Sequence, residues 1–141
     1  LIKSISFGSE APSNYDRDDN EYIITWKNAN YMAKDMIADG GSETSEEYYV
    51  KGKVKKVTTS NGNTFIDIGK AYPDKGRVTG VIWKEYAKNF EYSPYFYEGE
   101  TVYLRGNIYP YDGCANIKLE SDSQIIKLVD IDSLDEDFLN Y

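Results

Sequence analysis

Eight side chains in this 141-residue sequence have the types and spacing to hold a polyanion with exposed bases. They are Lys53, Lys55 and Lys56, then Phe65, Arg77, Trp83, Tyr109 and Tyr111. Aromatic rings interleaved with cations suit single-stranded nucleic acid: bases stack on the rings, at roughly 1–3 kcal/mol each, and phosphates meet the ammonium and guanidinium groups. Other chemistries are poorly supplied. There is no histidine and one cysteine, Cys114, so neither a Cys/His zinc site nor an internal disulfide can be assembled. Ser-His-Asp and Cys-His catalysis fall for the same reason. The carboxylate pairs Asp67 with Asp74 and Glu98 with Glu100 have no sequence context that would raise a pKa for acid–base work. The acidic run from Asp16 to Glu21 lacks the regular spacing of a calcium loop. The expectation is therefore a binding module and not an enzyme, with no metal and no cofactor.

Five short strands are expected to position these residues. In the first, Val50, Gly52 and Val54 alternate with Lys51, Lys53 and Lys55, giving one apolar face and one of lysines. The doubled Lys55-Lys56 before Val57 breaks the alternation and predicts a bulge. Gly52 suits a bent strand turning a barrel corner. Across a Ser60-Asn61-Gly62-Asn63 turn, the second strand points Thr64, Ile66 and Ile68 inward and Phe65 and Asp67 outward. The third, Arg77 to Trp83, sends Val78, Gly80 and Ile82 inward and Arg77, Thr79, Val81 and Trp83 outward. Trp83, Tyr86, Ala87 and Phe90 then fall at helical spacing, so one or two helical turns are expected, ended by Pro94. Trp83 and Phe90 equally fit anchors for that insert. The fourth strand buries Val102, Leu104, Gly106 and Ile108. The fifth, beyond Pro110-Tyr111-Asp112-Gly113, buries Ala115, Ile117 and Leu119. Ile125 to Leu128 is expected to close the barrel.

Three strands, a short helical insert and two more strands over about 80 residues match the order of the OB-fold, a five-stranded Greek-key barrel. An immunoglobulin-type sandwich would need about seven strands and no insert. The stretches YYVKGKVKKV, GNTFIDIGKAYPD, VTGVIWKEYAKNF and YEGETVYLRGNIYPYDGCANIKLESDSQI resemble the tRNA-anti-like group of bacterial OB-fold domains. The YVKGKV opening after an amphipathic helix also resembles small OB-fold proteins common in Bacteroidetes, some of them exported or lipid-anchored. The resemblance covers residues 48–128, with the helix at 25–39 as a weaker extension. It implies the fold; fold alone does not fix function.

The rest of the chain divides around that barrel. Residues 1–21 read as a polar, acidic arm. Residues 22–47 hold an amphipathic helix and a linker. Thr25 fits the N-cap, Trp26, Ala29, Met32, Ala33, Met36 and Ile37 form one apolar face, and Gly40-Gly41 supplies the stop. Residues 129–141 form an acidic tail. The net charge of −8 is unevenly spread. Residues 48–128 hold 12 basic against 9 acidic residues, a balance of +3, while residues 1–47 carry −6 and residues 129–141 carry −5. The flanks either aid solubility, compete with a polyanion for the barrel, or recruit a partner. Asp135-Glu136-Asp137-Phe138-Leu139 is similar in character to the acidic, apolar-tipped tails with which bacterial single-strand binding proteins dock other proteins; a packed or frayed terminus reads the same way.

No run approaches the roughly 20 apolar residues that span a bilayer. The first residue is Leu1, which fits a cytoplasmic protein or an exported one whose leader has been removed. Two functions follow as expectations. One is a non-enzymatic module for single-stranded nucleic acid. The other is an exported or lipid-anchored module using the same face for a protein or glycan.

Overall fold

A computed structural model describes residues 22–128, together with the backbone of residues 7–8 and 10–11, which pair in a two-residue antiparallel ladder. The expected arm at 1–21 and tail at 129–141 otherwise lie outside the described residues. Among the described residues there are a main sheet of seven strands and one α-helix. We label the strands β1 (Ile23–Thr25), β2 (Glu47–Ser60), β3 (Asn63–Ile68), β4 (Val78–Ile82), β5 (Thr101–Tyr111), β6 (Cys114–Lys118) and β7 (Ile125–Lys127), and the helix α1 (Trp26–Asp39).

The long strand β2 explains the closure. Its first half, Glu47 to Lys53, pairs antiparallel with β5, and its second half pairs with β3. β3 pairs with β4, β4 lies parallel to β6, and β6 returns to β5. That circuit closes on itself. Where the halves of β2 meet, the register slips between Val54 and Lys56, so the expected bulge is present. The turn back onto the bulge is stitched by Val54 N–H to Glu100 O at 2.8 Å and by Val57 N–H to the Glu98 carboxylate at 2.9 Å.

Two expectations about strands are corrected. Ile125–Lys127 does not close the barrel: it adds to the free edge of β5 at Val102–Leu104, and the β2–β5 pairing does the closing. Ile23–Thr25 is a strand, lying parallel to Tyr49–Lys51. Each is only three residues long, and periodicity is faint at that length. Pro94 is also corrected. It does not end the insert but opens a second 3-10 helix, Pro94–Tyr97, after a first at Lys84–Asn89. Its missing N–H costs nothing at a helix start, and the Ser93 hydroxyl accepts the Tyr95 N–H.

Alternation set by the pleat fills the interior. Val50, Val54, Ile66, Ile68, Val78, Ile82, Val102, Leu104, Ile108, Ile117 and Leu119 are sealed from solvent. Burying each such side chain contributes about 1.5–3 kcal/mol. Gly80 and Gly106 face inward because no side chain fits: a Cβ there would stand 2.7 Å from Leu119 and Ile117 respectively. α1 begins with Thr25 accepting the Asn28 N–H and ends at Gly40 in the left-handed region, φ 76°. Ala29 and Ala33 bury fully against the barrel, whereas Ile37, expected on that face, is 55% exposed. Tyr86, Phe90 and Tyr97 pack the insert on the core and leave Trp83 turned outward. Among the described residues no helix is long and apolar enough to cross a membrane.

Candidate nucleic-acid interface

The outer face of β2, β3, β4, β6 and the end of β5 carries two cross-strand rows. One runs Lys56, Asp67, Thr79, Asn116 and Tyr109; the other runs Thr58, Phe65, Val81 and Lys118. Two hairpin turns bound this face. Asn61 and Gly62 turn β2 into β3 with φ 54° and 84°, and Asp112 and Gly113 turn β5 into β6 with φ 55° and 76°. Both are two-residue turns of the kind that matches strand twist. Between them lies a cleft of about 810 Å³.

Five of the eight expected residues line that cleft: Phe65, Arg77, Trp83, Tyr109 and Tyr111. Tyr111 stands 70% exposed on the hairpin, and Phe65 is half-buried at mid-strand. Tyr109 is half-buried too. Burial pushes its phenol above the ordinary value, Glu43 and Tyr111 add to this and Lys118 opposes it, so the hydroxyl stays neutral. Lys56 is exposed beside the cleft, in register with Asp67.

The lysine ladder is corrected. Lys53 lies opposite Thr101, on the half of β2 that pairs with β5, and Lys55 occupies the bulge. Both are exposed and neither lines the cleft. The bulge adds one residue to the strand, so alternation before it does not continue after it.

Arg77 lines the cleft, and its guanidinium is already engaged by other groups of the protein. Only 7% exposed, it donates from Nη1 to Asp74 O at 3.0 Å and from Nη2 to Asp112 Oδ2 at 3.1 Å. Its guanidinium carbon stands 5.0 Å from the centre of the Tyr72 ring. Lys75 Nζ reaches the other Asp112 oxygen and also donates to Asp112 O at 2.9 Å. The hydrogen bond from Lys75, then that from Arg77, holds the Asp112 carboxyl below its usual range.

Sequence reasoning missed Tyr72, Asp112 and Asn30. Tyr72 lies in a connection where alternation says nothing, and its N–H donates to Asp67 Oδ2 at 2.9 Å. Asp67, buried, also accepts from the Thr79 hydroxyl at 2.8 Å, so this acid is spent on the cleft wall. Asn30 pins the helix to the wall. Its Nδ2 donates to Gly76 O and Arg77 O at 2.7 and 2.9 Å, and its Oδ1 accepts the Ala115 N–H at 2.7 Å. The signal was present: Asn30 stands four residues after Trp26, on the apolar stripe itself.

A second, more polar groove of about 920 Å³ shares Trp83 and Tyr109 with the first. Its cations are matched by acids, Arg105 with Glu47 at 3.7 Å and Lys118 with Glu120 at 3.1 Å.

No protein-family model and no curated protein matches the chain. Among solved structures it is weakly similar to the crystal structure of the S. pombe Stn1–Ten1 complex, with 12% identity and a TM-score of 0.44. That likeness covers 67% of this chain, and the chain spans 66% of the length of the solved one.

Proposed function

We propose that this protein is a non-enzymatic OB-type module that binds single-stranded nucleic acid with modest affinity in the Phe65–Tyr111 cleft. The OB reading rests on connectivity: five strands close in the order β2, β3, β4, β6, β5, with the one parallel contact of that circuit between β4 and β6. The tRNA-anti-like grouping belongs to this reading and rests on the motifs named above. What carries the functional reading is the gathering of four separate aromatic side chains, Phe65, Trp83, Tyr109 and Tyr111, in one outward cleft. Phe65 comes from β3, Trp83 from the residue after β4, and Tyr109 and Tyr111 from the end of β5. OB barrels bind oligonucleotides on that face and with those loops. A ring that only filled the core would be sealed, and Tyr111 stands open to solvent. The walls supply the neutral hydroxyls of Thr58 and Ser60, suited to base edges without a fixed sequence preference.

Fluorescence anisotropy of a labelled oligothymidylate, titrated with the full chain at low salt, tests this. Saturable binding that weakens steeply with salt is expected. Tyr111→Ala should weaken it roughly tenfold, the loss of one stacked base. Absence of binding at low salt would sink the reading.

A further inference from the structure

Arg77 and Lys75 converge on one point at the mouth of the cleft, and that point is filled by a carboxylate. Three features suggest that the carboxylate is a resident substitute. Arg77 is a buried guanidinium that also donates to Asp74 O and lies 5.0 Å from the centre of the Tyr72 ring, so two of its contacts do not involve Asp112. Asp112 itself is 40% exposed and comes from a two-residue turn 35 positions away in sequence. Its two oxygens take one cation each, the arrangement in which a guanidinium and an ammonium would grip two oxygens of a phosphate. Tyr111, the neighbour of Asp112, is the most exposed ring of the cleft.

We propose that Lys75 and Arg77 form a phosphodiester site that Asp112 occupies in the free protein, so that an incoming strand must displace this carboxylate to seat a phosphate beside Tyr111. The inference rests on the nucleic-acid reading of the cleft. It predicts modest affinity: the two best-placed cations are already engaged, and only the difference between one anion and another is available to binding. It also makes Asp112 a discriminator, since a ligand without a phosphate at that position gains nothing by moving it.

The test is Asp112→Asn in the full chain. Asparagine accepts positive φ as readily as aspartate, so the turn at φ 55° is kept. Affinity for an oligothymidylate should tighten by about tenfold at low salt, the value of one charge-assisted contact. The slope of log affinity against log salt should steepen by about 0.7, one further phosphate neutralised. Lys75→Gln separates this from the mere removal of a negative charge. In the parent protein Lys75 is neutralised and the substitution should change little; in the Asp112→Asn background it should cancel most of the gain. Simple field effects would add, so additivity of the two substitutions overturns the proposal. An Asp112→Asn protein that binds no more tightly than the parent also overturns it, while leaving the cleft reading intact. If neither protein binds the oligonucleotide, both readings fall. Should Asp112→Asn not fold, Asp112→Gly removes the same carboxylate at a position where glycine is at ease.

Discussion

Asn30 serves three backbone groups from one side chain, and what it serves is the wall of the cleft. Gly76 O, Arg77 O and Ala115 N–H come from two different strand ends. Each buried group left without a partner costs about 1–3 kcal/mol. Asn30→Ala should therefore destabilise the fold by about 3 kcal/mol, seen as a lower denaturant midpoint with an unchanged slope. It should also weaken oligonucleotide binding beyond any effect on folding, because Arg77 rides on the backbone that Asn30 holds. A midpoint within a few tenths of the parent would mean water replaces the amide. This is the level at which the sequence was least readable. Counting by twos correctly placed Phe65, Thr79, Val81 and Trp83 on one outward face, because strand parity is local. The partners of Arg77 were not readable, because Asp112 is distant in the chain and only closure of the barrel brings the two together.

Elements impose a different kind of constraint: where two of them cross, a single atom can decide. α1 lays the Trp26 ring over the end of β3, and Gly69 lies beneath it with φ 79°. A Cβ at position 69 would stand 2.2 Å from the Trp26 ring. Gly69→Ala thus combines left-handed strain with overpacking, and about 3 kcal/mol of stability should be lost. Thermal unfolding measures it, and Trp26 fluorescence should report a displaced ring. Retention of the parent melting temperature would show that the helix is free to slide. At this scale the sequence was mostly legible. The helix runs from its Thr25 cap to its Gly40 stop, and both hairpin turns fall on their Asn-Gly and Asp-Gly pairs, because caps and tight turns are chosen by local chemistry. The failures have one cause. Three-residue edge strands and the pairing of β2 with β5 along one half and β3 along the other are decided by what lies alongside, which periodicity does not record.

Charge acts over the whole molecule. The barrel balance of +3 is set against −5 in residues 129–141, and the described chain ends where Leu128 N–H meets Thr101 O at 3.0 Å. That point is the start of β5, and the Tyr111 hairpin is at its other end, about 34 Å away at the usual strand rise. Thirteen residues span at most about 45 Å, so the acidic segment is long enough to reach the cleft from its tether. If the segment does reach that far, its five acids would compete with a polyanion for the cations of the cleft. Ending the chain at Leu128 should then tighten oligothymidylate binding by about tenfold at low salt. At 1 M salt, where charges more than about 3 Å apart are screened, the two chains should bind alike. Equal affinity at low salt would show that the segment does not visit the cleft. A gain that persisted in high salt would point instead to Phe138 or Leu139 covering the aromatic rings by apolar contact. The same two titrations also bear on Asp112. If both the tail and that carboxylate compete with the strand for Lys75 and Arg77, removing both should gain more than the sum of the single removals, because after either removal alone the anion that remains takes the vacated cations.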